Sequence, residues 1–189
     1  NIVELCRIAS GASVNPFEKL KLMADQFITV KNLPGDVADL GACRGGTSLI
    51  LRRLAPDKHL NILDTWEGTP YDDPLCHHKK REWLAKLEDC QSLVGNSELT
   101  HYIKGVFPSS AEELEDRHFC FVYVDMDTEQ ATRDAIAFFW PRMVLGGKIM
   151  VDDYGWEPCA GVKKAVDEVF TIEQMQAVSL PYTCIVEKR

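Results

Sequence analysis

The sequence has no excess of positive charge. It contains 21 Lys and Arg residues against 29 Asp and Glu residues, which gives a formal net charge of -8. Nucleic acids and anionic membranes are usually bound through clustered Lys and Arg side chains. We therefore expect no nucleic-acid partner and no membrane partner. The single basic cluster, at residues 77–81, is short, and we interpret it as a solvated helix face or part of a lid.

Paired cysteines and long apolar runs are also absent. The 7 cysteines occur singly, without a C-x-x-C pair, and their odd number leaves at least one free thiol. This usage favours a reducing compartment, so we expect a cytoplasmic protein. No apolar run approaches the roughly 20 residues of a membrane span, and no signal-peptide pattern opens the chain.

The most distinctive feature of the sequence is a glycine-rich turn at residues 41–46. An apolar strand is predicted at 37–40, and Gly41 after it permits a tight turn. Gly45 and Gly46 would let the backbone approach a bound molecule where any Cβ would clash. A helix predicted at 47–54 would add the partly positive end of its dipole. The turn therefore predicts a site for a nucleotide-like ligand.

Strand and helix patterns alternate along the rest of the chain. Strands are predicted at 60–63, 101–104, 119–124 and 148–151, with a closing antiparallel pair at 176–178 and 183–186. Helices are predicted after Asn15-Pro16 and at 78–93, 128–140 and 160–170. This alternation predicts an α/β fold with a doubly wound, Rossmann-like sheet, mostly parallel with a C-terminal antiparallel strand.

We interpret residues 1–189 as one domain with two special segments. Residues 1–34 form an N-terminal helical segment. Residues 65–98, here called the lid segment, are polar, aromatic and proline-bearing, as a lid over a pocket would be. The alternative for the lid segment is a surface excursion without a function.

Acidic residues follow the predicted strands. In such sheets, ligands bind beyond the carboxyl ends of the strands. Asp64 follows the glycine turn by roughly the 20 residues expected of an acid that binds ribose hydroxyls. The alternative is a strand-end acid that caps the next turn. Asp39 lies on a strand, where an unpaired charge would be costly, so we expect it to face a cationic group or backbone amides at the ligand site.

Three further acids, Asp125, Asp152 and Asp153, come from two neighbouring strands. Carboxylates so close together would raise one another's pKa values unless a cation lay between them. An all-oxygen ligand set suits Mg²⁺, Ca²⁺ or Mn²⁺ rather than zinc. The alternative is that these acids cap the following helices. For Asp127 we favour that alternative, because Asp127-Thr128-Glu129 is typical of a helix start.

Five motifs occur in order: Asp39-Leu40-Gly41-Ala42-Cys43-Arg44-Gly45-Gly46, Asp64-Thr65-Trp66-Glu67-Gly68, Gly105-Val106-Phe107, Val124-Asp125-Met126-Asp127, and Gly146-Gly147-Lys148-Ile149-Met150-Val151-Asp152-Asp153-Tyr154-Gly155. Together, over about residues 35–170, they resemble the macrocin O-methyltransferase (TylF-type) family. That family comprises divalent-metal-dependent methyltransferases that use S-adenosylmethionine and modify sugar hydroxyls, often on natural products.

The resemblance implies S-adenosylmethionine and Mg²⁺, or another divalent cation, as cofactors, and a small-molecule hydroxyl as methyl acceptor. A homo-oligomer is left open. The implied metal ligands are Asp125, Asp152 and Asp153. The implied cofactor-binding residues are Asp39, Gly41, Ala42, Arg44, Gly45, Gly46, Thr47, Ser48, Asp64, Thr65, Trp66, Gly105, Val106, Phe107 and Asp125.

The sequence also departs from the family pattern. Asp39 stands where Glu is usual, Asp127-Thr128-Glu129 replaces Asp-Leu-Tyr, and the chain is short for the family. The catalytic base is not assigned; the residues considered are His77, His78, His101, His118, Lys163 and Lys164.

A fold of this kind is also compatible with three other functions. An NAD-dependent oxidoreductase would need a G-x-G-x-x-G fingerprint, which the spacing of Gly41, Gly45 and Gly46 does not match. A noncatalytic methyltransferase-like domain of a larger protein and a metal-independent small-molecule methyltransferase remain as alternatives.

Overall fold

The fold is built on one six-stranded sheet with the strand order β3-β2-β1-β4-β5-β6. The computed structural model describes residues 1–178 and 180–189. Strands β1 to β5 are parallel, and β6 pairs antiparallel with β5. The strands are β1 (Asp36–Leu40), β2 (Leu60–Asp64), β3 (Thr100–Lys104), β4 (Phe119–Val124), β5 (Met143–Asp152) and β6 (Thr183–Glu187).

Helices cover both faces of the sheet, because the central strands are apolar on both sides. On β4, Phe121 and Tyr123 belong to the core beneath the first four helices, whereas Val122 and Val124 belong to the core beneath the last two. Among the described residues, no helix is long and apolar enough to cross a membrane. The helices are α1 (Ile2–Ser10), α2 (Phe17–Val30), α3 (Gly46–Leu54), α4 (Leu87–Val94), α5 (Glu129–Phe139) and α6 (Ala160–Asp167).

The predicted fold class is confirmed, and the local differences are few. The helix predicted at 78–93 is wrong over its first half, and only α4 is helical. There the backbone of residues 81–82 is hydrogen-bonded to Thr69 at 2.8 Å in each direction, which a continuous helix would prevent. The strand predicted at 176–178 is also wrong. The chain makes one bridge there, between Met175 and Val186, and one further hydrogen bond from the Gln176 amide to the Ile185 carbonyl.

Gly41 allows β1 and β4 to end close together. Its φ of +79° is one that side chains rarely adopt, and a Cβ there would lie 1.7 Å from the carbonyl oxygen of Asp125. The loops that follow these two strands therefore meet at one edge of the sheet.

Arg52, near the end of α3, ties this helix to the segments that precede β2 and β3. Its buried guanidinium donates hydrogen bonds to the carbonyl oxygens of Leu99 at 3.0 Å and Lys58 at 2.7 Å, and also to that of Ala55. Burial lowers the pKa of Arg52. The guanidinium thus replaces water as the donor to three backbone acceptors.

We expect Arg52→Met to lower the free energy of unfolding by about 2–4 kcal/mol, because these carbonyls lose their donor. Urea denaturation measures the change. Arg53→Met, an exposed position on the same helix, is the matched control and should change the free energy by less than about 0.5 kcal/mol. Equal effects of the two substitutions would contradict the role given to Arg52.

Candidate functional site

A cavity of about 410 Å³ lies at the carboxyl ends of the parallel strands, where ligands bind in sheets of this kind. Residues of the lid segment, among them Tyr71, His78 and Trp83, line one side of it, and Asn15 and Lys19 line another. The strand ends contribute Gly41, Cys43, Asp64, Thr65, Gly105, Val106, Phe107, Asp125, Asp127 and Asp153.

Four of the loops that leave the strands contain a non-glycine residue in the left-handed conformation. Cys43 follows β1 with a φ of 49°, Trp66 follows β2 with 47°, Asp127 follows β4 with 61° and Asp153 follows β5 with 59°. This conformation is uncommon for such residues and is concentrated at functional sites. The strained backbone positions of these four loops therefore lie around the cavity.

Asp64 is held in place by the backbone of two loops. Its carboxylate accepts hydrogen bonds from the amides of Cys43 at 2.8 Å and Trp66 at 2.7 Å. Burial raises its pKa, whereas these amide hydrogen bonds act in the opposite direction. The carboxylate faces the cavity with acceptor capacity left over, as binding to ribose hydroxyls requires.

Asp39 differs from the expectation that a cationic group or backbone amides would face it. Its carboxylate accepts hydrogen bonds from the hydroxyls of Thr47, at 2.7 Å, and Ser48. Its second oxygen has no partner among the described residues. Burial raises the pKa of Asp39 to about 6, against the effect of the two hydroxyls. Asp39 does not line the cavity, and its carboxylate binds the first turn of α3.

Gly45 and Gly46 of the glycine turn pack closely against other parts of the protein. A Cβ at Gly45 would meet the side chains of Cys90 and Val94, and one at Gly46 would meet Ser13. At both positions the space that a Cβ would need is thus occupied by the protein itself, and the approach of this backbone to a ligand stays a prediction. Seven of the residues implied as cofactor-binding line the cavity; the others, which do not, are Asp39, Ala42, Arg44, Gly45, Gly46, Thr47, Ser48 and Trp66.

Three carboxylates converge at the edge between β4 and β5. Each of Asp125, Asp127 and Asp153 offers an oxygen within 4.8 Å of the others, and we call this group the acid triad. The Asn15 amide donates to the Asp125 carboxylate at 2.9 Å. Burial and the neighbouring carboxylates raise the pKa of Asp125 well above its ordinary value and that of Asp127 to about 8.

Asp152 lies beneath the triad and has different partners. Its carboxylate contacts the Lys19 ammonium at 2.5 Å and accepts a hydrogen bond from the Tyr123 hydroxyl at 2.9 Å. Lys19 also lies 3.2 Å from an oxygen of Asp153. Burial lowers the pKa of Lys19, but the carboxylates outweigh it and raise the pKa overall.

An additional cation fits the acid triad. Four carboxylates meet here, and the ammonium of Lys19 neutralises only one negative charge. The remaining oxygens form a hard, all-oxygen ligand set of the kind that Mg²⁺ and Mn²⁺ prefer. Of the implied metal ligands, Asp125 and Asp153 are brought together with Asp127, whereas Asp152 faces Lys19.

The lid segment is joined to the start of α5. The Asp73 carboxylate accepts a hydrogen bond from the Glu129 amide at 2.7 Å, and the Tyr71 hydroxyl lies 3.2 Å from that of Thr128. Asp73 therefore caps α5, and the cap expected of Asp127 is wrong. Since Asp127 adopts a left-handed turn, its side chain lies in the cavity.

Among the six residues considered as a base, His78 is the one that lines the cavity. His77 and His118 are exposed, and His101 stacks on His59. Lys163 is bonded to Asp167, and Lys164 lies 2.9 Å from Glu129.

Sequence reasoning missed Asn15 and Lys19 as site residues. The local pattern identifies Asn15 as a helix cap and Lys19 as an ordinary residue on an amphipathic helix. Their partners, Asp125 and Asp152, lie more than 100 residues further along the chain. No local pattern connects positions so far apart.

Comparison with known proteins identifies O-methyltransferases as relatives of this chain. The demethyldecarbamoylnovobiocin O-methyltransferase of Streptomyces niveus is 25% identical over 155 residues, which cover 72% of this chain and 58% of that protein. A tetracenomycin-C rhamnosyl 4'-O-methyltransferase of Streptomyces olivaceus is 23% identical over 71% of this chain and 58% of its own length. The chain thus spans somewhat more than half of these relatives.

Comparison of structures agrees on the fold. The solved structure of the O-methyltransferase NovP superposes with a TM-score of 0.76 and 21% identity, covering 94% of this chain and 82% of that one. The model of one family, described as macrocin-O-methyltransferase (TylF), matches residues 15–178. The chain therefore belongs to the macrocin-O-methyltransferase family.

Proposed function

We propose that this protein is an S-adenosylmethionine-dependent O-methyltransferase. Its acceptor is a hydroxyl of a sugar or another polyhydroxylated small molecule, or of a natural-product intermediate, and a divalent cation assists the transfer. The observation that carries the proposal is that the acid triad and Asp64 line the same cavity. One carboxylate site for a nucleoside and one for a metal ion therefore open into a common space.

The cofactor half of the proposal rests on Asp64 and the loops after β1 and β3. The Cys43 and Trp66 amides hold the Asp64 carboxylate for the ribose hydroxyls. Gly105, Val106 and Phe107 supply a small, partly apolar wall for the adenine ring. S-adenosylmethionine, when bound, supplies a methyl group on a sulfonium, which is transferred in line to an oxygen nucleophile.

The acceptor half rests on the acid triad. Asp125, Asp127 and Asp153 would hold the cation, which, when bound, orients acceptor oxygens and lowers the pKa of the attacking hydroxyl. Asn15 orients Asp125, and Lys19 neutralises Asp152 beneath the triad. Tyr71 and Trp83 of the lid segment line the cavity and would pack against the acceptor.

The acceptor class is supported by the relatives. The two relatives are named as O-methyltransferases of demethyldecarbamoylnovobiocin and of a tetracenomycin-C, and the second name specifies a rhamnosyl group. A cavity that is polar at the triad and aromatic at the lid segment suits a sugar joined to an apolar aglycone.

A metal-independent methyltransferase is the second candidate, and Lys19 is the observation that favours it. Its ammonium contacts both Asp152 and Asp153, so the protein already supplies one cation at this edge. Excess EDTA separates the two candidates, because it stops transfer only if a divalent cation is required.

We predict that Asp64→Ala weakens S-adenosylmethionine binding roughly 10- to 100-fold, because charge-assisted hydrogen bonds to the ribose are lost. Isothermal titration calorimetry measures the affinity. Arg44→Ala is the control: this side chain is exposed in the glycine turn and does not line the cavity, so the affinity should not change. A larger loss for Arg44→Ala than for Asp64→Ala would contradict this assignment of the cofactor site.

We predict that Asp153→Asn and Asp127→Asn each lower the Mg²⁺-dependent turnover at least about 100-fold while leaving the cofactor affinity within a few-fold. Asp152→Asn should weaken Mg²⁺ binding less than Asp153→Asn does, because Lys19 already neutralises Asp152. Turnover on a rhamnosylated acceptor and calorimetry with Mg²⁺ measure the two quantities. If Asp152→Asn abolishes Mg²⁺ binding while Asp127→Asn retains it, the ligands are Asp125, Asp152 and Asp153 instead.

A further inference from the structure

A group of mixed nitrogen, sulfur and oxygen ligands lies beside the acid triad. His78 comes from the lid segment, Asp127 from the loop after β4 and Cys159 from the turn before α6. One ligand atom of each residue lies within 4.8 Å of the other two. Three distant parts of the chain thus bring different ligand types to one point.

The chemistry of this group differs from that of the acid triad. Imidazole and thiolate ligands suit Zn²⁺ and related transition metals, whereas Mg²⁺ and Ca²⁺ prefer oxygen. Around a tetrahedral zinc ion, neighbouring ligand atoms lie roughly 3.3–3.8 Å apart. Side-chain shifts of about 1 Å would therefore close the group around an ion.

The surroundings of His78 match those of a metal-binding histidine. Its Nδ1 lies 3.0 Å from a carboxylate oxygen of Glu82, which leaves Nε2 for another partner. Histidine ligands in proteins usually have their second ring nitrogen held by a carboxylate in this way. The ring packs against Trp83 and Trp156, with centroids 5.0 and 5.9 Å away, and these contacts help to fix its orientation.

Two buried cysteines, Cys159 and Cys76, lie close together at this point. The sulfur would come from Cys159, which is fully buried, whereas His78 and Asp127 line the cavity. The Sγ of Cys76 lies 3.7 Å from that of Cys159, but Cys76 is not part of the group of three. A neighbouring buried thiol that is not a ligand provides a matched control.

We propose that His78, Asp127 and Cys159 form a Zn²⁺ site whose fourth position opens to the cavity. Three protein ligands and one open position are the usual composition of a zinc site that is accessible to small molecules. The carboxylate of Asp127 has two oxygens and belongs to both groups of ligands. Zinc at this site joins the lid segment to the loops after β4 and β5, and the proposal does not depend on the methyltransferase activity.

Titration of the protein with Co²⁺, a spectroscopic substitute for Zn²⁺, tests the site. We expect one Co²⁺ per chain to give the visible bands of a tetrahedral ion and a sulfur-to-cobalt charge-transfer band in the near ultraviolet, in addition to any Co²⁺ that the acid triad binds. Added Zn²⁺ should abolish these bands, and excess Mg²⁺ should not. Co²⁺ bound at the acid triad has only oxygen ligands and gives no charge-transfer band, so the spectrum separates the two sites.

The variants locate the ligands. Cys159→Ser should remove the charge-transfer band, His78→Gln should weaken Co²⁺ binding at least tenfold, and Cys76→Ser should retain both band and affinity. Circular dichroism and thermal unfolding of each metal-free variant show whether it is folded. If Cys159→Ser does not fold, the Co²⁺ affinity of His78→Gln, which changes a side chain of the lid segment, still tests the site. Absence of the band in the unsubstituted protein, its persistence in Cys159→Ser, or its loss only in Cys76→Ser would overturn the proposal.

Discussion

Negative charge concentrated at the carboxyl ends of β4 and β5 is the constraint on which the site depends. Asp125, Asp127, Asp152 and Asp153 lie within one small, partly buried region, where like charges disfavour one another's ionised forms. Lys19 compensates part of this charge. Helix α2 holds Lys19 there because its apolar residues, Leu20, Met23 and Phe27, are buried in the core. Core packing and the electrostatics of the site are therefore coupled through one helix.

The backbone at the strand ends also positions the polar groups of the site. Left-handed residues follow β1, β2, β4 and β5, and each costs about 1–3 kcal/mol that the surrounding sheet must offset. At Asp127 and Asp153 these turns direct carboxylates into the cavity, and at Cys43 and Trp66 they direct amides to Asp64. The lid segment then caps α5 through Asp73, which leaves Asp127 free of that role.

Much of the fold could be predicted from the sequence, because strand periodicity and turn residues are local signals. The buried run of β4 and the glycine turn before α3 are examples. The first half of the helix predicted at 78–93 could not be excluded locally, since Thr69 holds residues 81–82 through backbone hydrogen bonds. Parts of the site could not be predicted either, because they also depend on contacts between residues far apart in the sequence. The hydroxyl partners of Asp39 depend on how α3 packs back against β1. The contact of Lys19 with Asp152 joins α2 to the end of β5, which are far apart in the sequence.

We infer that the acid triad holds a divalent cation in the cavity that also binds the methyl donor. Anomalous scattering from a crystal grown with Mn²⁺ and S-adenosylmethionine tests it most directly. We expect a manganese peak between the carboxylates of Asp125, Asp127 and Asp153, with the ribose of the donor on Asp64. A donor bound on Asp64 with no manganese peak, and with Lys19 still in contact with Asp152 and Asp153, would contradict it.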